Sequence, residues 1–156
     1  MDDPEAQERL EKYVSSLSKG EAARGLSIAK LHKGFLLCDF RVHHGVSDEN
    51  GKWHGGAMVT VMDVIGGWTA STFTSQEHVS VYLSLSFYSK PNLQEMVEIE
   101  GKVTGQKGRM TSVRVEVRNK VRGGQMVASA DMWVAPSPAN KKRVHQTNKK
   151  PLASKL

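Results

Sequence analysis

The residues between Trp53 and Trp68 read Trp-His-Gly-Gly-Ala-Met-Val-Thr-Val-Met-Asp-Val-Ile-Gly-Gly-Trp. Two features could do chemistry. His54, Gly55 and Gly56 form a turn directly before a helix-like segment, and Asp63 is that segment's one charged residue. The first N–H groups of a helix have no internal partner, and the helix dipole adds partial positive charge there. Glycines let another molecule approach that backbone closely. The Gly55 N–H could thus hold a carbonyl oxygen that becomes negative during acyl transfer. Asp63 could take a proton from water, or attack directly. The bland alternatives are an ordinary loop for His-Gly-Gly and a solvated helix face for Asp63.

Reach constrains the two roles. Gly55 and Asp63 stand eight positions apart, roughly 12 Å along one helix. An oxyanion donor and a base that serve one carbonyl must each lie near ~3 Å from the reacting atoms. One helix cannot meet both demands. If both residues act, Gly55 of one copy faces Asp63 of another, in an antiparallel pair with two equivalent sites.

The elements that must carry these groups follow from periodicity. At about 100° per residue, Met58, Val61, Met62, Ile65, Trp68 and Thr69 share one stripe, which predicts a helix from Gly55 to Phe73. Asp63 lies opposite, among Thr60, Gly67, Ala70 and Ser71, with Val59 and Gly66 at the edge. That face is made of small residues, as suits close approach by a partner or a ligand. Before it, Leu26–Val42 reads as two strands with a turn near His32–Gly34, and His43–Gly51 as a loop. After it the period becomes two. Val79, Val81, Leu83, Leu85 and Phe87 are expected on one face, with Ser80 on the other. Three more strands follow, with Val113, Val115 and Val117 aligned in one and Met126, Ala128, Ala130, Met132 and Val134 in the last. Arg122–Gly124 marks a hairpin between these two. The organisation predicted is an N-terminal helical segment (1–25), one α+β domain (26–135) whose antiparallel sheet covers the central helix, and a basic tail (136–156) of disordered composition.

Composition closes other routes. A chain of 156 residues can bury a core without disulfides or metal. Its single cysteine, Cys38, lies among apolar residues and reads as packing. The six histidines are scattered, and no cluster has metal-ligand spacing. His43, His44 and His78 read as structural or solvated, and Trp53 and Trp68 as packing at the subunit seam or a pocket wall. No apolar run spans a membrane, and the acidic start is wrong for a presequence. Net charge is +6, but residues 1–131 carry 16 basic and 16 acidic side chains, so the excess belongs to the tail. Neither part has the basic face with interleaved aromatics of a nucleic-acid binder.

The stretch Asp48-Glu-Asn-Gly-Lys-Trp-His-Gly-Gly-Ala-Met-Val-Thr-Val-Met-Asp63 resembles hotdog-fold acyl-CoA thioesterases of the phenylacetyl-CoA thioesterase and acyl-CoA thioesterase 13 type. The strand Val79–Pro91 and the turn around Gly105–Met110 fit in place and order, and the likeness covers roughly residues 30–135. The resemblance implies a hotdog fold, a homodimer paired further as a dimer of dimers, and thioester hydrolysis without metal or cofactor. It implies that the Gly55 N–H polarises the thioester carbonyl, and that Asp63 of the other subunit is base or nucleophile. Ser80 would help hold the water, and His54 would orient the loop. The family often has Asn where this chain has Asp48, which can accept a hydrogen bond from His54 but not donate one. Asn50 is the alternative support. Lys107, Arg109 and Lys90 could meet coenzyme A phosphates, or simply be solvated.

The final Ser-Lys-Leu is an address read by the peroxisomal import receptor, so a peroxisomal location is expected. Two other functions remain open at this stage. A hydratase or dehydratase would want its His placed with an acid rather than in the Gly-Gly turn. A non-catalytic acyl-CoA binder would need the pocket but not Asp63.

Overall fold

The structure is a computed structural model and describes residues 20–138 together with residues 4, 5, 8, 9, 11 and 12. Those N-terminal residues are helical, and Glu21–Ala23 forms a short 3-10 turn. The rest of the expected N-terminal segment, and the tail beyond residue 138, lie outside the described residues.

Two short strands come first, β1 (Ser27–His32) and β2 (Phe35–Arg41). The helix α1 (Gly55–Thr74) follows, then β3 (His78–Phe87), β4 (Met96–Lys107), β5 (Met110–Asn119) and β6 (Gln125–Pro136). The sheet order is β1-β2-β4-β5-β6-β3, and each neighbouring pair is antiparallel. Helix α1 joins β2, near one edge, to β3 at the other, so it must cross the face of the sheet.

The expected stripe drives that crossing. Met58, Val61, Met62, Ile65 and Thr69 are fully buried and Trp68 nearly so. Burial of each large apolar side chain contributes about 1.5–3 kcal/mol. Two glycines set how close helix and sheet come. A Cβ on Gly101 of β4 would stand 2.0 Å from Thr69 Oγ1, and one on Gly66 would stand 2.2 Å from Met132 Sδ. Gly66 therefore faces its own sheet and not a partner. Its neighbour Gly67 meets nothing within 4 Å and stays on the open face.

Three sequence expectations change. Trp53 and Trp68 are 0% and 4% exposed and lie inside the protomer core, not at a seam; Trp53 packs on Phe40 with centroids 5.2 Å apart. Met126 leaves the series of its strand. Val127 is an extra residue between Arg118↔Met126 and Val117↔Ala128, and Met126 thus pairs with outward-facing Arg118. A second bulge, at Val81, re-aims β3. Ser80 pairs with Val134 and Tyr82 with Trp133, leaving Val81 unpaired. Residues paired across a ladder point to the same side, and Val134 and Met132 are buried under the helix. Ser80 therefore shares the helix face with Leu83, the partner of Met132. Val79 and Val81, expected on that face, are 43% and 53% exposed. Cys38 is a fully buried core residue, as expected; burial, with the neighbouring Asp39 charge, pushes its thiol up to about 12.

Candidate active site

The chain before α1 is held by backbone hydrogen bonds from several directions. The His54 N–H donates to Val46 O at 2.8 Å, and the Trp53 N–H to Pro91 O at 2.9 Å. His54 is the N-cap, extended at φ −65° and ψ 131°, and its side chain accepts from the Gly56 N–H. That bond runs to Nδ1 at 3.0 Å, so Nδ1 is the acceptor and a neutral ring carries its proton on Nε2. The cap satisfies one of the helix's free donors and leaves the Gly55 N–H without an acceptor among the described residues. Nothing lies within 4 Å of a Cβ built on Gly55, whereas one on Gly56 would sit 3.1 Å from the His54 ring. The two glycines thus do different work. Gly56 makes room for the cap, and Gly55 presents an open N–H.

Asp63 lies two helical turns further on, half-buried. Ser80 Oγ donates to its Oδ1 at 2.5 Å. Around it the helix face is smooth. Thr60 Oγ1 donates to Gly56 O at 2.9 Å and Ser71 Oγ to Gly67 O at 3.0 Å. Both hydroxyls fold back on their own helix.

Asp48 does not contact His54. Its Oδ1 accepts from the Asn50 N–H at 2.9 Å and the Lys52 N–H at 3.0 Å, an Asx turn that shapes the loop. The Lys52 N–H is the main cause that lowers its carboxyl pKa, with help from the Asn50 N–H and Lys90. Lys90 Nζ stands 3.5 Å from Asp48 Oδ2. Asn50 contributes its backbone N–H to Asp48, and no bond joins it to His54 among the described residues.

The structure also separates the three cations assigned to coenzyme A. Lys90 is tied to the loop before α1, while Lys107 and Arg109 flank the β4–β5 turn beside Phe73, at the far end of the helix. A helix of 20 residues is ~30 Å long. His43 accepts from the Gly45 N–H and caps a 3-10 turn. His78 Nε2 lies 3.2 Å from Thr74 Oγ1. Both are structural.

One supporting cluster was not foreseen. Lys52 Nζ donates to Asn92 Oδ1 at 3.0 Å, and Asn92 Nδ2 to Glu95 Oε1 at 2.9 Å. Arg122 Nη2 donates to the same Glu95 oxygen at 2.9 Å, and Asn119 to its other oxygen. The Arg122 hydrogen bond, followed by those of Asn119 and Asn92, holds the Glu95 carboxyl at about 2. This carboxylate ties the β5–β6 turn to the strand end that supports the His-Gly-Gly loop. Asn92 is local, but Asn119 and Arg122 come from a distant part of the chain, so no local pattern announces the cluster.

Residues 50–125 match the family model described as thioesterase superfamily. The chain has the hotdog fold, and its central part is similar to the thioesterase superfamily. The hotdog architecture is shared with solved structures. Zebrafish thioesterase superfamily member 2 superposes with a TM-score of 0.76 at 16% identity, covering 82% of this chain and 96% of that one. The E. coli PaaI protein of the phenylacetic acid degradation operon gives 0.74 at 15%, covering 85% and 93%. A hypothetical thioesterase from Streptococcus pneumoniae TIGR4, solved with coenzyme A, gives 0.69 at 20%, covering 73% and 90%. No curated protein matches this chain in sequence. Among the described residues no group of His, Cys, Asp and Glu could hold a metal ion, and no helix is long and apolar enough to cross a membrane.

Proposed function

We propose that the protein hydrolyses an acyl-CoA thioester to the free acid and coenzyme A, at a site shared between two copies of the chain. The observation that carries this reading is the Ser80–Asp63 hydrogen bond on the same helix as the open Gly55 N–H. The Asp63 carboxylate takes a proton from water as the water oxygen attacks the thioester carbon. Negative charge collects on the carbonyl oxygen, where the Gly55 N–H of the second copy donates to it. Collapse of that adduct breaks the carbon–sulfur bond, and the thiolate takes the proton back from Asp63. Ser80 holds the carboxylate, and His54 holds the turn. Direct attack by Asp63 through an anhydride is the variant of the same scheme.

The shape of β3 supports the shared site. It is an edge strand of 10 residues, and Val79, Val81, Tyr82 and Phe87 on it are 43–55% exposed. Long apolar edges of this kind invite pairing. A second copy along β3 would bring the smooth face of α1 against its counterpart. A tetramer of two such dimers is proposed with it. The coenzyme A carried by the streptococcal structural relative is consistent with the substrate class. The two remaining readings are weaker, because His54 is spent on the helix cap and a mere binder has no need of the Ser80–Asp63 pair. Peroxisomal location through the Ser-Lys-Leu at 154–156 is part of the proposal.

Complementation tests the shared site. Gly55→Pro removes only the candidate N–H, because proline is tolerated at the first helical position and His54 already has the extended backbone that proline requires before it. Gly55→Pro and Asp63→Ala should each abolish thiol release. Unfolded together and refolded as a mixture, they should recover about a quarter of wild-type activity, since half the dimers are mixed and each has one intact site. No recovery, or an active monomer, ends the reading.

A further inference from the structure

An acid stands beside the turn where negative charge must collect. Asp48 opens the loop that leads into His54 and Gly55, and its Oδ1 accepts from the Lys52 N–H at 3.0 Å. Gly55 follows Lys52 by three positions, and three residues span at most ~10 Å. The Asp48 side chain is only 17% exposed. The Lys52 N–H, more than any other group, holds its carboxyl below the ordinary value, so it is ionised at neutral pH. A fixed negative charge at that range opposes an oxyanion on the Gly55 N–H.

One cation answers it. Lys90 Nζ stands 3.5 Å from Asp48 Oδ2, and no other base pairs with Asp48 among the described residues. Lys52, in the same turn, points its Nζ to Asn92 Oδ1 at 3.0 Å instead.

The pair is not what holds the two segments together. The Trp53 N–H donates to Pro91 O at 2.9 Å and the Leu93 N–H to Gly51 O at 2.8 Å, and Lys52 and Asn92 form a β-bridge. The Asp48 turn is made by two backbone donors on one side-chain oxygen, and asparagine offers the same oxygen. Lys90 is 51% exposed, and an ion pair so open adds little to stability. Charge can therefore be removed from either partner with the backbone left in place.

We propose that Lys90 balances Asp48, so that the loop brings no net negative charge to the place where the oxyanion forms on the Gly55 N–H. Lys90 acts through the field at the turn and touches neither the substrate nor the reacting atoms. This inference rests on the reading of Gly55 as the oxyanion donor of a thioesterase.

Two measurements on four proteins test it. Lys90→Met leaves the acid alone, Asp48→Asn leaves the base alone, and the double variant has neither charge. With an acyl-CoA as substrate, kcat should fall about three- to tenfold in Lys90→Met and rise in Asp48→Asn. In the double variant it should return close to the wild-type value, and the spread should narrow at ~1 M salt. A merely structural role for Lys90 gives no return in the double variant. A direct contact of Lys90 with coenzyme A phosphates raises KM in Lys90→Met, and Asp48→Asn does not restore it. Either result overturns the proposal.

The second measurement needs no turnover. Hydroxide exchanges an open amide proton through a peptide anion, so the exchange rate of the Gly55 N–H responds to the same potential as the oxyanion. By NMR it should slow in Lys90→Met, quicken in Asp48→Asn and return in the double variant. Rates that do not follow this order overturn the proposal. If they follow it while no protein of the four releases thiol, the thioesterase reading falls and the charge balance at the turn stands.

Discussion

Ser80 Oγ donates to Asp63 Oδ1 at 2.5 Å, from an edge strand to the middle of a helix. The bond exists because Val81 is an extra residue in β3, which turns Ser80 toward α1. It fixes one carboxylate oxygen and leaves the other for water. Ser80→Ala should lower kcat about 10- to 100-fold with little change in KM. Asp63→Asn, which keeps the shape but cannot accept a proton, should lose ~10²–10⁴. Thiol release over an acyl-CoA panel measures both. Full activity in Asp63→Asn would remove Asp63 from the chemistry.

Deleting Val81 should be tolerated better than its place beside the site suggests. Ser80↔Val134 and Tyr82↔Trp133 then become consecutive pairs of a regular ladder, and Ser80 keeps its place on the helix face. The expected outcome is a folded protein with activity well above that of Ser80→Ala, checked by circular dichroism beside thiol release.

Gly101→Ala should destabilise by about 1–3 kcal/mol through overpacking, because the new Cβ would meet Thr69 Oγ1 at 2.0 Å. Thr69→Ala removes that oxygen and should restore part of the loss when combined with it. Urea midpoints of the two single variants and the double variant form the test. Additive losses would show that the contact is not the cause.

His78 gives the fold a pH dependence of definite sign. Burial, partly offset by a hydrogen bond with the Gln76 backbone, holds its pKa below 6.5. The unfolded chain then takes the proton first, so stability is full above about 6.5 and falls as pH drops toward the lower folded value. Glu95, held at about 2 against an ordinary 4.5, adds its own loss only below the latter. Denaturation midpoints between pH 6.5 and 4.5 should therefore decline in the wild type and decline less in His78→Gln.

Residues 136–156 fused to the C-terminus of a fluorescent protein should direct it to peroxisomes, and removal of Leu156 should leave it diffuse. A diffuse signal from the intact fusion would end the proposed location.

Much of the fold is legible in the residues alone, because burial leaves a regular trace. The stripe from Met58 to Thr69 repeats at the helical period, and it is buried as expected. Val113, Val115 and Val117 alternate and are buried, and Cys38 lies where its apolar neighbours place it. The distance between Gly55 and Asp63 on one helix follows from counting. Counting fails where the backbone inserts a residue. A bulge keeps the same letters but changes which face each one meets, so Ser80 and Met126 could be placed only from their partners across the sheet. Close approach is equally silent, for Gly101 reads as any glycine until Thr69 is seen against it. The Glu95 cluster joins Lys52, Asn119 and Arg122, far apart in the chain, and only the pairing of strands in the sheet brings them together.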